Sequence, residues 1–154
     1  MDNCLVIGGS GFIGSYVTKE LMASGRKVSI LDVKEPPDLP RPVSFVNYSS
    51  LEEGELASFL NSYHEIIDLA YLSNPKTSFD DPLKDIIENL QSTVKIFNLV
   101  THSKSLKKFL YVSSGGAIYG NTQQEWIDEA HPTNPVSPYG ITKLAIEKYG
   151  FMFC

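Results

Sequence analysis

The fold is decided near the start of the chain by the stretch Leu5-Val6-Ile7-Gly8-Gly9-Ser10-Gly11-Phe12-Ile13-Gly14. Its apolar beginning is typical of a buried strand, and the glycines that follow predict a tight turn into a helix. Such a turn exposes backbone N–H groups at the positive end of the helix, where a pyrophosphate can approach closely. We expect the strand to cover residues 3–7 and the helix to present Ile13, Val17 and Leu21 on one face.

An acidic residue lies at a suitable distance from this turn. A second predicted strand, residues 26–32, ends in Asp32, 18 residues after Gly14. In a dinucleotide-binding fold, an acid near this position accepts hydrogen bonds from ribose hydroxyls and repels a 2′-phosphate. The sequence therefore predicts a dinucleotide site that favours NAD over NADP, with Lys34 offsetting part of the repulsion.

Strands and helices alternate along the whole chain. The predicted strands cover residues 3–7, 26–32, 43–46, 65–70 and 107–112. Helices are predicted after Gly11, over 51–63, over 83–103 and from Ser137-Pro138 onward, and the connections include a proline-rich loop at 35–42, a polar loop at 71–82 and an irregular region up to residue 136. This alternation is typical of an α/β, Rossmann-like fold, a doubly wound parallel sheet for which we expect the strand order 3-2-1-4-5.

Length and composition narrow the function classes. The chain has 154 residues, of which 42% are hydrophobic and 20% charged, which predicts one globular domain over residues 1–154. A net charge of −5 without a basic block argues against nucleic acid as a partner. Neither a signal peptide nor a membrane span is visible, and Cys4 and Cys154 build no metal site and no disulfide framework. We therefore expect a cytoplasmic protein with no metal and no membrane partner.

A second constellation lies near the C-terminus, in Tyr139-Gly140-Ile141-Thr142-Lys143. A tyrosine and a lysine four residues apart share one face of a helix. A lysine ammonium beside a phenol stabilises the phenolate, so Tyr139 is a candidate general acid and base for a substrate hydroxyl. Such a pair is commonplace on exposed helices, but behind a dinucleotide fold it favours a catalytic pair, in which Lys143 also reaches the nicotinamide ribose.

These motifs together resemble the N-terminal half of an extended short-chain dehydrogenase/reductase of the NAD-dependent epimerase/dehydratase group. The matching positions are Gly8, Gly11 to Gly14, Asp32, Asp68-Leu69-Ala70, Ser78, Asp81-Pro82, Asn89, Thr93, Ser113 to Gly120, Glu129, Pro132, Pro135 and Ser137 to Lys143. The resemblance implies that NAD is bound by Gly8, Gly11, Phe12, Ile13, Gly14, Asp32, Leu69, Ala70, Tyr71, Ser113, Tyr139 and Lys143. It also implies that Tyr139 and Lys143 are the catalytic residues of a nucleotide-sugar 4-epimerase.

The chain departs from this family in the segment after the fifth strand. The family places its assisting hydroxyl where this chain has Gly115, and the adjacent Ser114 is our candidate for that catalytic role. Relatives that eliminate water or carbon dioxide place acids in the same segment, whereas Gly115-Gly116-Ala117 offers none. The sequence therefore favours a 4-epimerase, with a NAD(P)-dependent sugar-nucleotide reductase and a catalytically incomplete NAD-binding remnant as open alternatives.

The family is also about twice as long as this chain. Its second half supplies the last strands of the sheet and the domain that holds the sugar nucleotide, so we expect a Rossmann domain truncated before these parts. The fifth strand would then present an unpaired edge. The resemblance further implies a nucleotide-sugar substrate, a UDP-sugar, and a homodimer formed through helices 83–103 and 138–152.

Overall fold

In the computed structural model, residues 2–38 and 42–153 are described, and the chain divides into two compact units. The first unit comprises Met1–Tyr71 and Leu99–Val112, and it holds the five strands found among the described residues. The second unit comprises Leu72–Asn98 and Ser113–Cys154 and is built from helices and connecting segments. The prediction of a single domain over the whole chain stays a prediction.

The first unit contains one parallel sheet with the predicted strand order, β3-β2-β1-β4-β5. Its strands are β1 (Asn3–Ile7), β2 (Lys27–Asp32), β3 (Ser44–Asn47), β4 (Glu65–Asp68) and β5 (Lys108–Tyr111). The register aligns Ile7 of β1 with Leu31 on one side and with Asp68 on the other. The carboxyl ends of β1, β2 and β4 therefore meet at one end of the sheet, where the strand order reverses and open α/β folds bind their ligands.

Apolar side chains of α1 (Phe12–Ala23) pack on this sheet. The buried cluster comprises Val6, Val28, Ile30 and Val43, and the partly buried side chains packed against it include Val17, Leu21 and Met22. Val17 and Leu21 of the predicted apolar face thus pack on the cluster, whereas Ile13, in the first turn of the helix, is 59% exposed. The remaining helix of the unit, α2 (Glu53–Leu60), buries Leu56 and Leu60.

The second unit contains α3 (Thr77–Asp80), α4 (Pro82–Asp85), a π-helical segment (Ile86–Gln91), α5 (Ser92–Val100, whose last two residues belong to the first unit), α6 (Gly115–Ile118) and α7 (Pro138–Phe153). The last of these helices starts where the sequence predicts. The predicted helix over 83–103 is instead a succession from Pro82 to Val100 with a π-helical middle.

Two predicted irregular segments are wrong in part, because each contains a four-residue helix. α3 lies in the predicted polar loop, and α6 lies in the predicted irregular region. The start of α3 is held by Asn74, whose side-chain oxygen accepts hydrogen bonds from the N–H groups of Lys76 and Thr77. A local cap of this kind stabilises one helical turn without any apolar periodicity, which is the signal that sequence analysis relies on.

The remaining predictions concern the loop at 35–42, Cys154, membrane-spanning helices and metal-binding side chains. The predicted loop at 35–42 is described except for residues 39–41, and Cys154 lies outside the described residues. Within residues 2–38 and 42–153, no helix has the length and apolarity to cross a membrane. The same ranges contain no cluster of histidine, cysteine and acidic side chains that could hold a metal ion.

Burial of Cys4 in β1 predicts a pH dependence of stability. The thiol is free and fully buried, and burial raises its pKa from 9.0 to about 11. Between these values the thiol ionises only in the unfolded chain, so the free energy of unfolding should fall as the pH rises from about 9 to about 11. Urea unfolding at pH 8 and pH 10 measures this fall in the free energy of unfolding, and the fall should be smaller in Cys4→Ala. An equal loss in both proteins would contradict the assignment to Cys4.

Candidate active site

The glycine turn in the first unit connects β1 directly to α1. Gly8 adopts a φ of +77°, a conformation that favours glycine, and its N–H donates to the carbonyl of Leu31 at 2.9 Å. Gly11 N–H donates back to the Gly8 carbonyl at 3.1 Å, which closes the turn. A Cβ atom at Gly8 would lie 2.8 Å from the backbone nitrogen of Ala70, so the turn also lies tightly against the segment that follows β4.

Gly14 brings the first turn of α1 against the same loop. A Cβ atom at this position would lie 2.2 Å from the Gly8 carbonyl oxygen and 2.7 Å from the Cα of Gly9, both rigid backbone atoms. The N-cap of α1 is Gly11, which supplies no capping side chain, so the helix begins with N–H groups that a side chain does not cover. This arrangement fits the pyrophosphate of a dinucleotide, which binds such groups at the positive end of a helix.

Asp32, at the end of β2, is fixed beside the turn by two backbone hydrogen bonds. Its Oδ2 accepts from the Ser10 N–H at 3.0 Å, and its Oδ1 accepts from the Val33 N–H at 2.7 Å. Each carboxylate oxygen retains a further lone pair for a ribose hydroxyl. The sequence identified Asp32 but not Ser10, whose contribution comes from its backbone and carries no residue-type signal.

A cavity of about 250 Å³ adjoins the glycine turn within the first unit. Its walls are formed by the turn, one face of α1 and the loop after β2, namely by Gly9, Ser10, Gly11, Phe12, Ser15, Thr18, Lys19, Ile30, Pro36, Pro37 and Asp38. Phe12, at the rim of the cavity, is 82% exposed, and the next residue, Ile13, is 59% exposed. Two large apolar side chains are therefore open to a ligand. The cavity and the turn together fit the NAD predicted from the sequence.

The segment after β4 supplies the third wall of this region. Leu69 N–H donates to the Ile7 carbonyl at 2.9 Å, and Ala70 N–H donates to Oδ1 of the buried Asp68 at 3.1 Å. The structure thus brings Leu69 and Ala70 together with Gly8, as the sequence-based assignment requires. Tyr71 follows them as the last residue of this part of the first unit and is partly buried.

In the second unit, Tyr139 and Lys143 lie together on the first turns of α7. The Lys143 Nζ is 5.8 Å from the centroid of the Tyr139 ring, and the lysine is only 5% exposed. The ammonium therefore lies near the phenol at a place with little access to solvent. The geometry allows the phenol to exchange a proton with a bound hydroxyl while the lysine balances the charge.

The N-terminus of α7 is held by buried side chains of the second unit. Ser137 Oγ accepts a hydrogen bond from the Gly140 N–H at 3.0 Å, which confirms the predicted N-cap. Tyr139 N–H donates to Ser78 Oγ of α3 at 3.1 Å. A Cβ atom at Gly140 would lie 2.6 Å from the Ala117 carbonyl oxygen, so α7 also lies close against α6.

The two serines after β5 have different surroundings. Ser114 is the N-cap of α6 and accepts hydrogen bonds from Ala117 and Ile118 through its backbone carbonyl, while its side chain makes no capping bond. Ser113 Oγ is buried and has no hydrogen-bond partner among the described residues. A buried hydroxyl without a partner is suited to a polar ligand. The prediction of Ser114 as the catalytic hydroxyl stays a prediction, and Ser113 is a second candidate.

A buried polar cluster in the second unit holds the segment that follows Tyr71. The Leu72 N–H donates to Asn89 Oδ1 at 2.8 Å, and Asn89 Nδ2 donates to Asp85 Oδ1 at 3.1 Å. Ser73 Oγ also donates to Asp85, which is 2% exposed. Asn89 lies in the π-helical segment, a rare structure that is frequent at functional sites.

Comparison with known proteins identifies the family of this chain. Residues 4–151 match the NAD dependent epimerase/dehydratase family. A putative UDP-glucose 4-epimerase of Methanocaldococcus jannaschii is 33% identical over 150 residues, which are 94% of this chain and 48% of that protein.

Solved structures give the same result. UDP-glucose 4-epimerase of Thermotoga maritima with UDP-glucose is 30% identical to this chain, with a TM-score of 0.87. The match covers 98% of this chain and 50% of the Thermotoga maritima chain. UDP-glucose 4-epimerase of Thermus thermophilus in complex with NAD has a TM-score of 0.86 and 29% identity, with the same coverage of 98% and 50%. This chain therefore spans about half the length of the relatives it matches.

These findings confirm the predicted resemblance, the α/β, Rossmann-like fold and NAD as the cofactor of the family. The predicted strand order is the observed one. The chain belongs to the NAD dependent epimerase/dehydratase family.

Proposed function

We propose that this chain provides the NAD-binding and acid–base part of a nucleotide-sugar 4-epimerase. One observation carries the proposal. This chain, a member of the family, combines a glycine turn beside Asp32 with a buried Lys143 whose Nζ lies 5.8 Å from the centroid of the Tyr139 ring. In a member of this family, a tyrosine beside a buried lysine fits an enzyme that moves a proton, and the glycine turn fits one that holds a dinucleotide.

The residues of the first unit would hold the cofactor. Backbone N–H groups at the start of α1 would bind the pyrophosphate, and Asp32 would accept hydrogen bonds from the adenosine ribose. NAD, when bound, accepts a hydride from a carbinol carbon and returns it. Asp32 would disfavour a 2′-phosphate through charge repulsion, which supports NAD rather than NADP.

Tyr139 would move the proton of the sugar hydroxyl. Its phenolate would accept the hydroxyl proton as the carbon loses a hydride, and the phenol would return a proton when the hydride comes back. Lys143 would balance the charge of the phenolate and hold the nicotinamide ribose. Ser114 or Ser113 would donate a hydrogen bond to the substrate oxygen.

The segment after β5 supports epimerisation over elimination. Residues 115–117 carry no acid, and a removal and return of hydride at one carbon needs none. A sugar-nucleotide reductase would use the same residues and stays the second candidate. The UDP-sugar substrate is a proposal supported by the Thermotoga maritima relative, which is an epimerase with UDP-glucose.

One pair of measurements tests the proposal on the chain as it exists. Isothermal titration with NAD measures cofactor binding, and interconversion of UDP-glucose and UDP-galactose measures turnover. Binding together with turnover supports an epimerase. The absence of turnover, with NAD bound weakly or not at all, supports the alternative of a catalytically incomplete remnant, and turnover by this chain alone contradicts that alternative. We also propose a cytoplasmic location, supported by the buried free thiol of Cys4.

A homodimer through the helical segments of residues 83–103 and 138–152 is a further part of the proposal. Both segments carry exposed apolar side chains, among them Leu83 at 64%, Ile87 at 50% and Ile141 at 57% exposure. Large apolar side chains that stay exposed close together mark an interaction surface. A second copy of the chain, offering the same faces, would cover them.

Ile87→Lys should therefore convert the dimer into a monomer, because a charge would have to be buried in the interface. Light scattering coupled to size-exclusion chromatography measures the mass of each protein. Trp126→Lys is the matched control, since Trp126 is 85% exposed and lies outside both segments, and it should leave the dimer intact. A monomeric wild-type chain would overturn this part of the proposal.

A further inference from the structure

Ser78 is the only residue of α3 whose side chain is fully buried, and its hydroxyl contacts the helix that carries Tyr139. It is 0% exposed, in a short helix whose other three residues are exposed. A serine hydroxyl that is buried in a four-residue surface helix needs partners for both its proton and its lone pairs.

Both requirements are met in a way that fixes the direction of each bond. Ser78 Oγ donates its proton to the Pro75 carbonyl at 3.0 Å. The lone pairs of the Ser78 oxygen are then free to accept a hydrogen bond, and the Tyr139 N–H donates to this oxygen at 3.1 Å. Ser78 N–H bonds to the Asn74 carbonyl at 3.0 Å, which anchors the serine itself.

The bond to Ser78 completes the N-terminus of α7. Pro138 has no N–H, Gly140 N–H bonds to the Ser137 side chain, and Ile141 N–H bonds to the Ser137 carbonyl at 2.9 Å. Tyr139 carries the one remaining N–H of the first turn, and Ser78 accepts it from 61 positions away in sequence. The helix start is thus tied to a separate element at the residue that bears the phenol.

We propose that Ser78 is a positioning residue, which acts through the backbone of Tyr139 to fix the phenol beside Lys143; this rests on the function proposed above. A phenol that exchanges protons must be held within a fraction of an ångström of its partner. The backbone bond fixes the Cα of Tyr139, the Gly140 contact with Ala117 limits rotation of the helix, and the side-chain direction follows from both.

The first test is amide hydrogen exchange followed by NMR. In the wild-type chain the Tyr139 amide should exchange slowly, and Ser78→Ala should speed its exchange about 5- to 10-fold, the effect of one lost hydrogen bond. The Gly140 amide, which bonds to Ser137, should keep its rate. Ser78→Thr, which retains the hydroxyl, should restore slow exchange at Tyr139. Ser29→Ala is the matched control, because Ser29 is also buried but lies in β2, where it bonds to Ser44.

The second test follows the phenol and the reaction. Ser78→Ala should shift the ring signals of Tyr139, identified by their loss in Tyr139→Phe, and lower kcat about 10-fold with KM and NAD affinity unchanged. A wild-type Tyr139 amide that exchanges at the rate of an unstructured peptide overturns the inference even if Ser78→Ala does not fold. Unchanged ring signals, or an unchanged kcat, in a folded Ser78→Ala also overturn it. Should the wild-type chain show no turnover, the proposed function fails, and the exchange rates and ring signals still decide the role of Ser78.

Discussion

Replacement of Tyr139 by phenylalanine is expected to abolish turnover while NAD stays bound. The substitution removes one oxygen atom and keeps the ring, so the packing of α7 and the position of Lys143 should change little. Without the phenol no group at this position can accept the proton of the sugar hydroxyl. General acid–base catalysis contributes factors of about 100 to 10,000, and kcat should fall by that amount.

NAD affinity separates this effect from a loss of structure. The groups that would hold the pyrophosphate and the adenosine ribose belong to the glycine turn and to Asp32, in the first unit of the chain. Titration with NAD should therefore give a dissociation constant within about tenfold of the wild-type value, since at most one hydrogen bond to the cofactor is lost.

Tyr149→Phe is the matched control for this experiment. It removes the same atom from the same helix, from a tyrosine that is 40% exposed and ten positions farther along. Its kcat should equal that of the wild-type chain. Turnover that survives in Tyr139→Phe would show that another group moves the proton.

The sheet and the cofactor-binding turn could be predicted from the sequence because their signals are local. An apolar run that stops at Gly8, and another that stops at Asp32, mark both the strands and their carboxyl ends. The right-handed crossover rule then leaves few strand orders, and the observed order is the expected one. Helical periodicity indicates which side chains share a face but not which turns of the helix are covered, and Ile13 in the first turn is 59% exposed.

The remaining parts of the site depend on contacts between distant positions. Ser78 matched a family motif, but its bond to the Tyr139 N–H joins positions 61 apart and involves the backbone, which has no residue-type signal. The same is true of Ser10, whose N–H orients Asp32. The π-helical segment also escaped prediction, because its apolar residues fit an ordinary helix equally well. Sequence therefore indicates which groups carry the chemistry more readily than which groups hold them in place.

Gly14→Ala is expected to have the largest effect on cofactor binding. The added Cβ would lie 2.2 Å from the Gly8 carbonyl oxygen and 2.7 Å from the Cα of Gly9, and neither atom belongs to a flexible side chain. The first turn of α1 must therefore move away from the glycine turn. We expect a loss of stability of about 1–3 kcal/mol, the usual cost of overpacking, measured by urea unfolding.

Gly14→Ala should also weaken the binding of NAD. The pyrophosphate needs the N–H groups of α1 and the backbone of the turn at the same time, so a shift of about 1 Å would disrupt several hydrogen bonds together. Titration should show at least about 100-fold weaker binding, the effect of losing two hydrogen bonds to a charged group.

Gly54→Ala is the matched control, because it makes the same substitution in the same unit. A Cβ atom at Gly54 meets no atom within 4 Å, and the residue lies in the exposed first turn of α2. Alanine there should stabilise the protein by about 0.5–1 kcal/mol and leave NAD binding unchanged. If Gly14→Ala bound NAD as tightly as Gly54→Ala does, the dinucleotide would lie elsewhere, and the assignment of the glycine turn would be wrong. Since the two variants differ only in what the methyl group meets, the comparison isolates close backbone packing as the reason for glycine at position 14.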